Sequence, residues 1–96
     1  MKTKKIIEKI KQRIEELEEI ARGSKLDWEQ VIYSDRKYEV TLLRDYYDEA
    51  GFYIISTIDD EPSELKELPK TVLEEALEIL DDIVLEEAIE ETVHED

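Results

Sequence analysis

The spacing of hydrophobic residues changes twice along the chain, and these changes divide it into a helix, a set of strands and a second helix. Between residues 2 and 22, apolar side chains recur every three or four residues, which places them on one side of an α-helix. Thr3 is a candidate N-cap, and Gly23 suits the left-handed end of a helix. The apolar stripe consists of Ile6, Ile7, Ile10, Ile14, Leu17, Ile20 and Ala21.

The middle of the chain is rich in β-branched and aromatic residues, which favour strands. Gly51 stands where a four-residue hairpin loop needs a positive φ. These features predict three antiparallel strands, at residues 28–33, 38–43 and 52–58. The turn-like segments between them lie at residues 34–37 and 48–51.

Both faces of the predicted sheet carry apolar residues. Alternation along the second and third strands places one set on the first face: Tyr38, Val40, Leu42, Phe52, Ile54 and Ile58. The opposite face carries Leu43, Tyr53 and Ile55. One face is therefore available to a second helix or a second subunit, and the pattern makes a homodimer a further prediction.

A second helical pattern follows Pro69. Thr71 and Glu74 have the spacing of a capping box, and residues 63–68 predict one or two helical turns before it. The apolar stripe of this helix comprises Leu73, Ala76, Leu77, Leu80, Ile83, Val84, Ala88 and Ile89. It is widened by Val72, Ile79 and Leu85, so we expect the helix to bury more than one side.

The order α-β-β-β-α predicts one α+β domain over residues 1–96, a three-stranded antiparallel meander flanked by N- and C-terminal helices. The acidic tail from about residue 91 is expected to fray. The residues expected to be buried are Ile10, Ile14, Leu17, Val40, Leu42, Ile54, Leu77, Leu80 and Val84.

Charge is the most unusual property of the sequence. It has 13 Lys and Arg against 28 Asp and Glu, for a net charge of −15. Such a chain repels phosphate backbones, so we expect no direct binding to nucleic acid. We also expect no membrane span and no secretory signal, because charged residues interrupt every apolar run. With no cysteine, a cytoplasmic protein is expected, and the many Lys and Glu residues also fit a thermophile.

The second helix carries most of the excess acid. No Lys or Arg follows Lys70, and acidic residues recur at every fourth position, where like charges cost a few tenths of a kcal/mol per pair. The 9 carboxylates of residues 74–91 give about one negative charge per 3 Å of helix. This density is close to that of one DNA strand, which carries one negative charge per about 3.4 Å of its axis. Two interpretations stay open: a solvated acidic face, or a phosphate-like surface that binds a basic protein. The candidate binding residues are Glu74, Glu78, Asp81, Asp82, Glu86 and Glu90.

The hairpin between the second and third strands offers another candidate surface. Two tyrosines stand among three carboxylates there, and Tyr is an effective interface anchor. The alternative is that one Tyr joins the core and the other packs on the sheet. The candidate residues are Asp45, Tyr46, Tyr47, Asp48 and Glu49. Trp28, the single tryptophan, is expected in the core or against the sheet.

Few residues suggest catalysis. The single histidine, His94, lies near the end of the chain, and no acidic cluster has calcium-loop spacing. We therefore predict no catalytic residue, metal or cofactor. In size, charge and predicted fold the chain resembles small acidic inhibitors, such as anti-restriction, anti-CRISPR and nuclease immunity proteins, some of them from phages. The expected function is a non-enzymatic inhibitor that occupies the basic surface of a nucleic-acid-binding protein. The alternatives are a dimeric accessory or assembly protein that binds through an apolar sheet face and, less favoured, a carboxylate-based hydrolase.

Overall fold

A helix, four consecutive antiparallel strands and a second helix make up the fold. The structure is a computed structural model that describes residues 2–21, 28–44 and 51–94, with residues 89–94 described by their backbone alone. The elements are α1 (Thr3–Ile20), β1 (Trp28–Ser34), β2 (Tyr38–Arg44), β3 (Phe52–Ile58), β4 (Glu61–Ser63), a 3₁₀ turn (Leu65–Glu67) and α2 (Lys70–His94). The sheet order is β1-β2-β3-β4. The predicted α+β order is confirmed, and the sheet has one strand more than predicted.

The additional strand, β4, follows a two-residue hairpin turn. Asp59 and Asp60 have φ angles of 52° and 67°, and the residues on either side of them form a cross-strand pair. Positive φ at both central positions defines a type I′ turn. Ser56 Oγ then donates to the carbonyl oxygen of Ser63 at 2.9 Å and joins β4 to β3. Little in the sequence indicates this hairpin, because type I′ turns favour Asn-Gly and neither residue occurs here.

A β-bulge in β1 turns two consecutive side chains toward the core. Val31 pairs with Thr41, but the next pair is Tyr33 with Val40, so Ile32 is the additional residue. Ile32 is buried, and Tyr33 packs against the core from the same side. A regular strand would have directed one of the two away from the core.

Both helices lie on the same face of the sheet and run in the same direction. Near the start of α1, Ile6 lines a groove with Leu77 of α2. Near its end, Leu17 lines a cavity with Glu87. Residue numbers therefore rise together along the two helices. The face that the helices cover includes the buried residues Val40 and Leu42 of β2, so the molecule has a helix layer and a sheet layer.

The core differs in part from the prediction. Five of the nine expected residues are buried: Ile10, Leu17, Val40, Leu42 and Leu80. The other four, Ile14, Ile54, Leu77 and Val84, are only partly buried and pack against the core. The apolar stripe of each helix is wider than the part of the helix surface that the rest of the protein covers completely. Seven residues outside that list of nine are also buried: Ile6, Ile32, Leu68, Val72, Leu73, Ala76 and Ile83.

The two predicted helix N-caps are wrong. Thr3 is the first residue of α1, and Lys2 caps it without a side-chain hydrogen bond. The helix α2 begins at Lys70, because the carbonyl oxygen of Pro69 already accepts from the N–H of Leu73 at 3.1 Å. Thr71 is therefore inside the helix and is not its N-cap. Gly23 lies outside the described residues.

Candidate functional site

Four of the predicted binding residues form one exposed row on α2. Glu74, Glu78, Asp82 and Glu86 follow one another at intervals of four residues, and all four side chains are exposed. We call this row the acidic stripe. The opposite side of α2 packs into the core through residues such as Leu80. The helix position of each carboxylate thus directs it away from the sheet.

The carboxylates of α2 differ in their intramolecular partners. Arg13 of α1 donates from Nε to Asp81 Oδ1 at 2.5 Å and from Nη1 to Glu16 Oε1 at 2.9 Å. The hydrogen bond to Asp81 raises the pKa of Arg13. Lys70 lies 3.8 Å from Glu74. In the described part of the chain, no basic side chain forms an ion pair with the other three members of the stripe. Asp81, predicted to bind a partner, therefore already joins the two helices.

A shallow groove runs beside the acidic stripe, between the two helices. It has a volume of about 210 Å³. Ile6 and Leu77 give it an apolar floor, and the carboxylates of Glu74, Glu78 and Asp81 surround it. An apolar floor with a negative rim complements a Lys or Arg side chain, whose aliphatic stem packs while its charged end meets carboxylates. The groove thus adds apolar contact to a surface that the sequence presents only as charge.

The acidic surface extends onto α1, which we did not predict from the sequence. Residues 2–13 contain six basic residues and one acidic residue, whereas residues 14–21 contain four acidic residues and no basic one. Because the helices are parallel, the acidic half of α1 lies beside the second half of α2. The exposed carboxylates there are Glu15, Glu16, Glu18 and Glu19. The change of sign within α1 is visible in the sequence, but the direction of packing is not.

The predicted hairpin surface, residues 45–49, lies outside the described residues, and so does the side chain of Glu90. Gly51, the first described residue after that hairpin, has the predicted positive φ, 69°. A Cβ at Gly51 would collide with the carboxylate of Glu18, which accepts from the backbone N–H of Phe52 at 2.9 Å. This contact holds the end of α1 against the start of β3.

An aromatic contact occupies the end of the core near that hydrogen bond. Trp28 and Phe52 meet edge to face, with ring centroids 5.7 Å apart, and the Arg44 guanidinium lies 5.5 Å from the centroid of the Phe52 ring. These three residues line a cavity of about 250 Å³ with Leu17 and others. Trp28 is partly buried and packs against the core, as predicted.

The turn between β1 and β2 contains the largest pKa perturbation among the described residues. The hydroxyl of Tyr33 donates to Asp35 Oδ2 at 2.5 Å, which raises the pKa of Tyr33 to about 12. Asp35 also accepts from the N–H groups of Lys37 and Tyr38 at 2.7 Å each. The Tyr33 hydrogen bond and these two backbone donors lower the pKa of Asp35. The cluster lies at the surface and its hydrogen bonds close the turn, so we assign it a structural role.

The described carboxylates surround open grooves and are exposed to solvent. Every Asp and Glu whose side chain the structure describes is exposed except Glu87, which is partly buried. No group of three or more His, Cys, Asp or Glu in the described part of the chain has the arrangement needed to hold a metal ion. Among the described helices, none has the length and apolar character needed to cross a membrane.

The outer face of the sheet, on the side opposite the helices, is partly apolar and exposed. Val31, Thr41 and Ile55 pair in a row across three strands. Val31 is 48% exposed and Ile55 is 46% exposed. The acidic stripe and this face therefore point away from each other, on opposite sides of the molecule.

Comparison with known proteins gives no match to a family model, to a curated protein or to a solved structure.

Proposed function

We propose that the protein is a non-enzymatic binding module whose acidic stripe contacts the basic surface of another protein. The observation that carries the proposal is that Glu78, which borders the apolar-floored groove, and Asp82 and Glu86, which continue the acidic stripe beyond it, form no ion pair within the described part of the chain. A helix selected only for stability gains from alternating Glu and Lys at this spacing, since each opposite pair contributes about 0.2–0.5 kcal/mol. This helix forgoes that gain along its exposed side.

The sharper form of the proposal is that the acidic stripe imitates nucleic acid. The linear charge density supports it, and the acidic half of α1 widens the charged surface beyond a single row. A protein that binds DNA or RNA through a groove of Lys and Arg fits this surface by charge, for example a nuclease or a restriction or CRISPR effector. Long-range attraction would speed association and make the affinity fall with salt.

Capture from a cell extract with matched variants tests the proposal. The test variant is Glu78→Lys, Asp82→Lys, Glu86→Lys, and the control is Glu8→Lys, Glu61→Lys, Glu67→Lys, which changes the net charge equally at exposed sites outside the acidic surface. The proposal expects basic proteins that the wild type and the control retain and the test variant loses. Displacement of a labelled DNA duplex from a captured protein supports nucleic-acid mimicry. Equal retention by both variants would reject the stripe as the binding surface.

The exposed sheet face favours a second candidate function, an accessory or assembly protein that binds through apolar contacts, including the predicted homodimer. This candidate expects an affinity that is nearly independent of salt. Sedimentation at low and moderate salt distinguishes a dimer from a monomer. A hydrolase requires two partly buried carboxylates in one cleft, and the exposure of the described carboxylates gives that alternative no support.

A further inference from the structure

The outer face of the sheet has an uncharged centre, although 43% of the residues in the chain are charged. Val31, Thr41 and Ile55 form its middle row, and Leu43 pairs with Tyr53 in the next row. Thr41 is only 7% exposed, because its neighbours on both sides cover it. The centre is thus a continuous surface of apolar groups and threonine.

The charges on this face are acidic and lie at its two ends. Glu29 is the cross-strand partner of Leu43, and Glu39 is the cross-strand partner of Thr57. Both carboxylates are exposed, and the apolar row lies between them. No outward position of the described strands carries Lys or Arg. The face is complementary to an apolar stripe with basic residues at its borders.

A second copy of the chain does not suit this face. Two copies would bring together net charges of −15 each, and would place like carboxylates at the borders of one interface. Charge therefore favours a different, basic partner.

We propose that the outer face binds an amphipathic helix whose apolar stripe is bordered by Lys and Arg, supplied by another protein. The opposite face of the same sheet already packs two helices, so its strand spacing and twist accept this geometry. A helix of about 15 residues spans about 23 Å, the length of the strands. The proposal does not rest on the acidic stripe, which lies on the other side of the molecule. Together the two surfaces make the protein a bridge between two basic partners.

A synthetic helical peptide of about 15 Leu and Lys residues is the probe, and methyl NMR with isothermal titration calorimetry gives the readout. The methyl signals of Val31, Leu43 and Ile55 should shift on titration. The variant Val31→Thr, Ile55→Thr keeps β-branched residues at exposed strand positions, and we expect it to fold normally and bind at least tenfold more weakly. The control Ile79→Gln, Leu85→Gln removes exposed apolar groups from α2 and should bind like the wild type.

Several results would overturn the proposal. Shifts confined to α2 would mean that the peptide binds the acidic stripe by charge alone. Undiminished affinity of the strand variant would exclude the outer face, and equal binding of a matched Leu and Glu peptide would exclude the charge argument. Sheet methyl signals that depend on protein concentration without peptide would identify a second copy as the occupant. The stripe variant Glu78→Lys, Asp82→Lys, Glu86→Lys should leave the sheet-face shifts intact, so the two proposals fail independently.

Discussion

Arg13 of α1 and Asp81 of α2 form a hydrogen-bonded ion pair, with Nε and Oδ1 2.5 Å apart. The pair joins the parallel helices and engages Asp81, one of the predicted binding residues. Its side chains are 29% and 47% exposed, so solvent screening limits its contribution.

We predict a coupling free energy of about 0.2–1 kcal/mol between Arg13 and Asp81 in a double-mutant cycle with Ala, measured by urea unfolding. The coupling should decrease at high salt. Asp82, the next residue, supplies the control, because it forms no ion pair with Arg13. Equal coupling of Arg13 to both aspartates would contradict a specific contact.

Gly51 permits the close approach of Glu18 to the start of β3. Replacement of Gly51 by Ala should destabilise the protein by more than the roughly 1–2 kcal/mol that a positive φ costs a residue with a Cβ. The reason is that the methyl group also displaces the Glu18 carboxylate. In a Glu18→Ala background the same replacement should cost less, as measured by urea unfolding. An identical cost in both backgrounds would show that only backbone conformation matters.

Asp60 occupies the second positive-φ position of the turn between β3 and β4, at 67°. Asp60→Gly should stabilise the fold by about 0.5 kcal/mol, whereas Asp60→Ala should destabilise it by about 1 kcal/mol. Both variants remove the same negative charge, so their difference isolates the conformational effect. Thermal unfolding measures it. Shifts of Tm in the same direction and of equal size would instead indicate a charge effect.

The hydrogen bond from Tyr33 to Asp35 predicts a pH dependence at both ends of the scale. The pKa of Tyr33 is raised to about 12. The hydrogen bond from Tyr33 therefore stabilises the folded protein fully below about pH 10, the ordinary Tyr pKa. This stabilisation is lost as the pH rises through about 12. Since the pKa of Asp35 is lowered, its contribution is present above about pH 4 and is lost as the pH falls further.

Absorbance titration of the tyrosines checks the alkaline part of this prediction. The difference in absorbance between the wild type and Tyr33→Phe should have its midpoint near pH 12. Between about pH 10 and pH 12, the variant should lose less free energy of unfolding than the wild type. An ordinary midpoint near about 10 in the difference curve would contradict the hydrogen bond.

The elements with strong periodicity could be predicted from sequence, and those that depend on tertiary geometry could not. The apolar repeat of α1 and the β-branched runs of β1 to β3 placed these elements within a few residues. The hairpin at Asp59 and Asp60 was missed because the turn lacks glycine. The bulge at Ile32 was missed because it changes only the pairing of β1 with β2, while the residue types remain those that favour a strand.

The acidic stripe could be predicted for the same reason as α1, because a four-residue interval fixes a common side of a helix. Its surroundings could not. The pairing of Asp81 with Arg13, the apolar floor of the groove and the acidic half of α1 all depend on two helices packing in parallel. Neither helix encodes that direction by itself, although the change from basic to acidic residues within α1 is visible in the sequence.

Whether the acidic stripe binds a basic protein is decided by the affinity of Glu78→Lys, Asp82→Lys, Glu86→Lys for a purified captured partner. Isothermal titration calorimetry at low and moderate salt should give steeply salt-dependent binding for the wild type and for the control Glu8→Lys, Glu61→Lys, Glu67→Lys. The stripe variant should not bind, while its Tm stays equal or rises slightly, because the lysine introduced by Glu78→Lys forms an opposite-charge pair with Glu74. Unchanged affinity of the stripe variant would contradict binding through the acidic stripe and leave it as a solvated surface.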